Sequence, residues 1–363
     1  MSRTGGSRRR WLSGVAVAVA IVLANASTAL ASQVVVPNDP SFGSQWGLAN
    51  TGQSVNGVTG TPGADIDATE AWALTTGDPS AVVVVLDSGV DLDHPDLAPN
   101  IWTNPGGIGG CAAGTHGYNV VPKVPTCDPS DDLGHGTHVA GILGAAGNDG
   151  VGVAGVDWHA TILPVKFVSA TNKGPNGKLV KALDWILQII GQGVNVRVVN
   201  DSPTWAGTAS STAVADRLED LNDAGVLFVA AAGNTKRNVD TSPRYPCSYQ
   251  TPNEVCVTAT DQKDGLWTKA NYGASTVDLA APGVNIYSTL PEETYGFDSG
   301  GSMAAPSVSG AAMLALAQDP TLTVSALKAR LLASVDPLPS LTGKVRTGGR
   351  LDLCKALVGC PAP

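Results

Sequence analysis

The sequence is poor in charged, aromatic and above all basic residues. Of its 363 residues only 15% are charged and 5% are aromatic, and 22 Lys and Arg stand against 31 Asp and Glu, which gives a formal net charge of −9. A chain with this excess of acid lacks the positive surface that binds nucleic-acid phosphates or anionic membranes. We therefore expect neither of these as a partner.

The six cysteines include no Cys-x-x-Cys pair, which disfavours a structural zinc site. In an exported chain such cysteines form disulfides, although several pairings are possible. Proximity along the sequence favours three short loops: Cys111 with Cys127, Cys247 with Cys256, and Cys354 with Cys360.

The apolar stretch near the N-terminus, residues 11–24, is shorter than the roughly 20 residues that a membrane-spanning helix needs. Four arginines precede it, and a small-x-small cleavage site ending at Ala31 follows it. This pattern predicts an export signal over residues 1–31 and one folded domain over residues 32–363. The arginines leave the Sec and twin-arginine export routes both open.

After the signal, short apolar runs alternate with segments of helical pattern. Alternation of this kind predicts an α/β fold in which a mostly parallel sheet carries helices on both faces. The strands are expected at residues 81–86, 162–168, 194–200, 226–231, 254–260 and 277–280. The helices are expected at residues 135–146, 178–190, 210–223, 302–318 and 324–333.

Ser302 is the candidate nucleophile. It follows Gly300 and Gly301 and opens an apolar, helix-favouring run, so its own N–H belongs to the unpaired first turn of a buried helix and could stabilise an anion beside its hydroxyl. Alone, such a serine is more often a helix cap. A catalytic role needs a base and a carboxylate elsewhere in the chain.

Three further residues meet that need, each at the junction of a regular element and a turn. Asp87 ends the apolar run 81–86, His135 opens a small-residue helix, and Asn234 follows the run 226–231. Asp87 would hold the ring of His135, His135 would take the proton of Ser302, and the Asn234 amide would donate to an oxyanion. Ser88 is expected to accept a hydrogen bond beside Asp87, and His138 is expected to be a packed helix residue.

The motifs around these residues resemble the signatures of the subtilisin-like serine proteases. The four segments are Asp87-Ser88-Gly89-Val90-Asp91, His135-Gly136-Thr137-His138-Val139, Ala231-Ala232-Gly233-Asn234 and Ser302-Met303-Ala304-Ala305-Pro306, in that family's order. The resemblance implies the three-layer subtilisin-like fold, a single catalytic domain of the thermitase-like branch, and hydrolysis of peptide bonds through an acyl-enzyme. It also implies that no organic cofactor or catalytic metal takes part.

The resemblance also assigns residues that bind peptide substrates as an added strand. The edges would be formed near Gly174 and near Ser202 and Thr204, and the pocket beside Ala231 and Gly233. The chain departs from the family's usual Ser-x-Gly at residues 202–204. The preferred substrate residue therefore stays open.

A structural calcium site is a separate implication of the resemblance. Asp39, Asp96 and Asp149 match the side-chain ligands of the strong calcium site in the thermitase-like members. Three carboxylates with nearby backbone carbonyls suit a hard cation with six or seven oxygen ligands.

Two departures keep a second function open. Residues 32–36 leave no room for the propeptide that most secreted members carry, and the edge at residues 202–204 is unusual. Together they keep an inactive, binding subtilase in view. An acyl-ester hydrolase using the same residues is the third reading, but the Gly-x-Ser-x-Gly elbow is absent at Ser302. The favoured expectation is an exported, monomeric serine endopeptidase that acts on peptides and proteins.

Overall fold

The computed structural model describes residues 34–170, 176–202 and 210–360. Its strands are β1 (Ser54–Val55), β2 (Val58–Thr59), β3 (Val82–Asp87), β4 (Tyr118–Asn119), β5 (Thr161–Lys166), β6 (Val196–Asp201), β7 (Leu227–Ala231), β8 (Glu254–Thr260), β9 (Leu279–Pro282), β10 (Ile286–Leu290), β11 (Thr294–Asp298), β12 (Val335–Pro337) and β13 (Gly349–Leu351). Its α-helices are α1 (Ala68–Ala71), α2 (His135–Gly144), α3 (Asn176–Gly191), α4 (Thr212–Asp223), α5 (Gly301–Gln318), α6 (Val324–Ala333) and α7 (Leu353–Ala356).

In the described part of the chain, nine strands form one large sheet in the order β12-β13-β9-β8-β7-β6-β3-β5-β4. Every neighbouring pair runs parallel except β12 with β13. Parallel neighbours need long crossovers, and the helices supply them. The predicted α/β class with a mostly parallel sheet is therefore confirmed.

Strand β3 is central because it is apolar on both faces. All six of its residues are buried. Val83 and Val85 point into one hydrophobic cluster, whereas Val84 and Leu86 point into the other. A continuous run of β-branched and aliphatic residues is what a strand covered on both faces requires.

Helices cover each of these faces. The first cluster takes in apolar residues of α2 and α5, and the second takes in apolar residues of α3 and α4. Helix α5 is buried on all sides from Gly301 to Leu316, as expected for a core helix without a polar face. The three layers that the resemblance implied are thus present.

The chain order places a switch point beside β3. After β3 the chain passes through α2 and returns as β5 on one side of β3, and the following crossover through α3 returns as β6 on its other side. Crevices for ligands open at the carboxyl ends of strands at such a point. Asp87 stands at the carboxyl end of β3.

The three disulfides favoured by sequence proximity are confirmed: Cys111–Cys127, Cys247–Cys256 and Cys354–Cys360. They leave no cysteine free. Within the described ranges, the helices are all too short or too polar to pass through a lipid bilayer.

Candidate active site

Asp87 and His135 form a direct pair. The ring Nδ1 of His135 lies 2.8 Å from Asp87 Oδ1 and 3.0 Å from Oδ2. Asp87 is fully buried, and the N–H of Ser88 donates to its Oδ1 at 2.7 Å. A carboxylate at Nδ1 keeps a proton on that nitrogen and leaves Nε2 to act on other groups.

The close approach of two glycines brings this pair together. A Cβ on Gly136 would lie 2.0 Å from the carbonyl oxygen of Gly89. Gly89 itself has φ +99°, and a Cβ there would lie 2.2 Å from the oxygen of Pro129. The first turn of α2 can therefore pack on the turn after β3 only because Gly136 lacks a side chain, and that turn can pack on residues 129–130 only because Gly89 lacks one.

The electrostatics around His135 favour the imidazolium. Burial acts to lower the pKa of the ring, but the Asp87 carboxylate and its hydrogen bond, followed by the charges of Asp298 and Asp131, raise it to about 9. The ring is still 23% exposed, so protons can exchange with solvent. A base of this kind becomes available as the pH rises through the pKa.

Asp131, which no sequence motif singled out, links the chain beside Asp87 to the start of α2 beside His135. Its Oδ1 accepts from Ser88 Oγ at 2.8 Å and from the N–H of Gly134 at 3.0 Å, and its Oδ2 accepts from the N–H and Oγ1 of Thr137 at 3.0 and 2.7 Å. Ser88 Oγ in turn accepts from the N–H of Gly136 at 2.9 Å, as expected for Ser88. The only signal in the sequence was an acidic residue shortly before a helix, where it caps free N–H groups.

Ser302 lies in the first turn of α5 and is 4% exposed. Its Oγ donates to the carbonyl of Ser202 at 2.9 Å, and Ser202 Oγ donates back to the carbonyl of Ser302, also at 2.9 Å. Among the described residues, the hydroxyl of Ser302 thus donates its hydrogen bond to the carbonyl of Ser202, just after β6, and not to the ring of His135. A protonated ring has no lone pair to accept that hydrogen bond.

Asn234 is anchored beside Ser302. Its Oδ1 accepts from the N–H of Gly301 at 2.9 Å. An ideal Cβ built on Gly300 would lie 2.9 Å from Asn234 Nδ2 and 3.5 Å from the N of Ser302. Both nitrogens therefore border one small space beside Gly300, the oxyanion space, as two donors to one oxyanion would.

The structure describes three of the five predicted substrate-binding residues. Ser202 follows the end of β6, Ala231 ends β7, and Gly233 (φ +104°) lies two residues further on. The carbonyl of Gly233 accepts from the N–H of Asn271 at 2.8 Å, which holds this segment. Gly174 and Thr204 lie outside the described residues.

Asp39 and Asp96 have the features of cation ligands. Asp39 is 4% exposed and Asp96 is fully buried, and each has one carboxylate oxygen, Oδ1, that is buried without a hydrogen-bond partner. Burial is the largest cause that raises the pKa of each of these two carboxyls, and the nearby charge of Asp149 raises both further. The pKa of Asp96 is raised to about 6. Burying such oxygens is costly unless a cation pairs with them, so these two residues fit calcium.

Asp149 fits less closely. It is exposed, and its Oδ1 accepts from the N–H of Val151 at 2.9 Å. Its charge reaches Asp39 and Asp96, but the three residues do not form a group with carboxylate oxygens within 4.8 Å of one another in the described ranges. The side chain of Asp149 would therefore have to turn toward the other two to share an ion.

Three other carboxylates do have oxygens within 4.8 Å of one another: those of Asp67, Asp336 and Asp352. The Nζ of Lys355 contacts both Asp336 and Asp352, the latter at 2.8 Å. The cluster already holds an ammonium group, and we assign no metal to it.

His138 is the packed residue that the sequence predicted. It is 1% exposed, and its Nε2 lies 3.1 Å from the carbonyl oxygens of both Ile286 and Gly296. It therefore ties α2 to the hairpin of β10 and β11.

A buried carboxylate on a histidine, with a serine at the start of a core helix in a parallel α/β sheet, is the arrangement of a serine-type hydrolase. The sequence matches the subtilase family over residues 78–349, and the chain belongs to this family of serine-type endopeptidases. The resemblance seen in the motifs is confirmed.

Individual relatives are similar along most of the chain. Thermitase from Thermoactinomyces vulgaris is 34% identical over 322 residues, which cover 88% of this chain and 99% of thermitase. Subtilisin-like protease 1 from Plasmodium vivax is 32% identical over 302 residues, which cover 76% of this chain but only 46% of that protein. The chain thus spans about half the length of the latter relative.

Solved structures agree with this assignment. Proteases from Pseudoalteromonas arctica PAMC 21717 superpose with a TM-score of 0.73 at 26% identity, covering 90% of this chain and 99% of theirs. A cold-adapted subtilisin-like serine proteinase superposes with a TM-score of 0.65 at 26% identity, covering 88% of this chain and 100% of its own.

Proposed function

We propose that this protein is a secreted serine endopeptidase in which Asp87, His135 and Ser302 form the catalytic triad. The observation that carries the proposal is the conjunction of two features: the Asp87–His135 contact at 2.8 Å and the two nitrogens, of Asn234 and Ser302, that border one small space beside the serine. The first feature supplies a positioned base, and the second supplies a place for the oxyanion.

In the first half of the reaction, the hydroxyl of Ser302 turns from Ser202 toward His135 and attacks the scissile carbonyl carbon. Nε2 of neutral His135 takes the hydroxyl proton, and Asp87 stabilises the resulting imidazolium. The carbonyl oxygen becomes an oxyanion between Asn234 Nδ2–H and the N–H of Ser302. As the intermediate collapses, the C–N bond breaks and His135 gives its proton to the leaving amine.

The second half repeats these steps with water. His135 takes a proton from water, the hydroxide attacks the acyl-enzyme, and the ester bond to Ser302 Oγ breaks. His135 then returns the proton to Ser302. The product acid leaves, and the triad is restored without any net change in the protein.

We propose that a peptide binds as an added strand between two edges, one at Gly174 and the other at Ser202 and Thr204. Its side chain would enter a pocket beside Ala231 and Gly233. The family acts on peptide or protein substrates, and an extended peptide added beside strand ends presents its carbonyl to Ser302.

Two further features of the chain belong to the same proposal. Residues 1–31 act as a secretion signal and residues 32–363 as one catalytic domain, supported by the basic head, short apolar core and small-x-small site of the sequence. Asp39 and Asp96, joined by Asp149, hold a structural calcium ion, supported by the two orphaned buried oxygens.

Cleavage of an unstructured protein such as casein tests the proposal. The secreted chain should cleave it at internal peptide bonds, and Ser302→Ala should retain the fold, judged by circular dichroism, while losing about 10⁴-fold or more of the rate. N-terminal sequencing of the secreted material should begin at Ser32. Activity retained in Ser302→Ala would exclude Ser302 as the nucleophile.

A further inference from the structure

The start of helix α5 lacks one of its own hydrogen bonds. Pro306 stands four residues after Ser302, and proline has no N–H to donate to the carbonyl of Ser302. Ser202 Oγ donates to that carbonyl instead, at 2.9 Å. The end of strand β6 thus replaces a bond that the helix cannot make.

Ser202 is itself held by a second side chain. Asn200 Nδ2 donates to Ser202 Oγ at 2.9 Å, and Ser309 Oγ donates to Asn200 Oδ1 at 2.8 Å. Because Asn200 already donates to the Ser202 oxygen, the single hydroxyl proton of Ser202 is directed to the carbonyl of Ser302. The three hydrogen bonds form a series that runs from Ser309 on α5 to Asn200 on β6, then to Ser202, and back to α5 at Ser302.

The three side chains of this series are fully buried: Asn200, Ser202 and Ser309 each have 0% exposure. Buried polar groups that are completely paired hold one arrangement, because any departure leaves a desolvated group without a partner. The three hydrogen bonds therefore fix the peptide plane that follows Ser302.

We propose that Asn200, Ser202 and Ser309 form a positioning relay for the nucleophile, and this inference rests on the endopeptidase function proposed above. The relay holds the main chain of Ser302 so that its hydroxyl can reach His135 while its N–H borders the oxyanion space. Asn200 and Ser309 do not touch the reacting atoms; they act through the Ser202 hydroxyl.

A positioning role and a merely structural role differ in their kinetics. A displacement of the nucleophile of about 1 Å can cost on the order of 10²-fold in rate. Substrate binding should be unaffected, because the Ser202 backbone, which faces the peptide, is retained when only its hydroxyl is removed. A structural defect would instead lower the melting temperature or the active fraction without changing kcat per active site.

The test compares Ser202→Ala, Ser202→Thr and Ser309→Ala by kcat and KM on a peptide substrate, with active sites counted by burst titration. Ser202→Ala should lower kcat by about 10-fold to 100-fold with KM within about twofold, and Ser202→Thr, which restores a hydroxyl, should recover most of the loss. Ser309→Ala should lower kcat by about threefold or more. Ser307→Ala, a buried serine on the same helix outside the relay, is the matched control and should leave kcat unchanged.

The possible outcomes separate the two proposals. An active wild-type chain with Ser202→Ala within about twofold in kcat would overturn the relay alone. A wild-type chain that is folded but cleaves nothing would overturn the proposed function and the relay with it. If Ser202→Ala does not fold, Ser309→Ala decides, because an unchanged kcat in that folded variant would contradict the relay.

Discussion

The side-chain amide of Asn234 occupies the space that a methyl group on Gly300 would enter. The distance from Asn234 Nδ2 to an ideal Cβ on Gly300 is only 2.9 Å, closer than real Cβ contacts. Gly300 has φ 173°, an extended conformation that any residue adopts. The glycine is therefore required for space rather than for backbone freedom.

Gly300→Ala should consequently abolish most activity in a folded protein. The methyl group would displace the Asn234 amide and fill the oxyanion space, with a loss comparable to removing one donor, about 10²–10³-fold in kcat as measured in another member of this family. Asn234→Leu should give a loss of the same order. Steady-state kinetics on a peptide substrate measure both.

Gly301→Ala is the matched control for that prediction. A Cβ there would meet its nearest neighbours at 3.5–3.6 Å, which is ordinary contact distance, so the variant should retain activity within a few-fold. Equal losses from Gly300→Ala and Gly301→Ala would indicate a general disturbance of the helix start instead of a filled oxyanion space.

The charge of Asp298 should contribute to the pH dependence of the reaction, after the larger effect of Asp87. The reaction needs neutral His135, so kcat/KM should rise with pH through the pKa of about 9 in the free enzyme. Asp298 is an exposed residue of β11 whose negative charge favours the imidazolium. Asp298→Asn should lower the pKa of His135, so kcat/KM should begin to rise at a lower pH.

Full pH profiles of kcat/KM at low ionic strength, where exposed charges are least screened, measure this shift. Asp216→Asn, an exposed acid on α4, removes the same charge from a distant helix and should leave the profile in place. A profile of Asp298→Asn identical to that of the wild type would show that Asp298 does not act on His135.

Asp157 should make the fold less stable as the pH rises. It is fully buried, its Oδ2 has no hydrogen-bond partner, and burial raises its pKa from 3.8 to about 8. The unfolded chain loses this proton near the ordinary pKa, whereas the folded chain keeps it until about pH 8. The folded state therefore loses relative stability between these two values as the pH rises.

Asp157→Asn removes this titrating group. The free energy of unfolding of the variant should therefore change less with pH between these two values. Urea unfolding measures this in a Ser302→Ala background, which prevents self-digestion. Between pH 5 and pH 9, the free energy of unfolding of the variant should rise relative to that of its parent by at least about 1.4 kcal/mol, the equivalent of one pKa unit. A constant difference between the two chains across that range would mean that Asp157 does not carry a raised pKa.

Chelation should destabilise the protein if Asp39 and Asp96 bind calcium. EDTA is expected to lower the melting temperature by several degrees, and calcium should restore it, because an ion that binds only the folded state stabilises it by mass action. Asp96→Asn should remove this calcium response. Asp93→Asn, an exposed acid in the same segment, should retain it.

An unchanged melting temperature in EDTA would contradict the calcium proposal and leave the two orphaned oxygens to be explained by protonation. The raised pKa of Asp96 makes that the physical alternative. The measurement should again use a Ser302→Ala background, since self-digestion would imitate a loss of stability.

Elements with strong periodicity could be predicted closely from the sequence. The predicted strand at 254–260 and the predicted helix at 324–333 coincide with β8 and α6, because their apolar patterns and flanking turns are unambiguous. The antiparallel hairpin of β10 and β11 was not predicted. Its second strand is largely solvent-facing and lacks a buried apolar run.

The residues that bear chemistry were visible in motifs, but their supports were not. Asp131 gains its role from partners brought to it by the packing of α2 on the turn after β3. The relay through Asn200 and Ser309 joins residues separated by 109 positions. Such contacts depend on the tertiary fold, which no local pattern encodes.

The most direct test of the central claim is covalent labelling of the secreted protein with a fluorophosphonate, followed by mass spectrometry of the modified peptide. We expect stoichiometric label on Ser302 at pH 9, less label at pH 6, where His135 is protonated, and none in Ser302→Ala. A folded, calcium-supplied chain that takes up no label on Ser302 at either pH would contradict an activated nucleophile at this site.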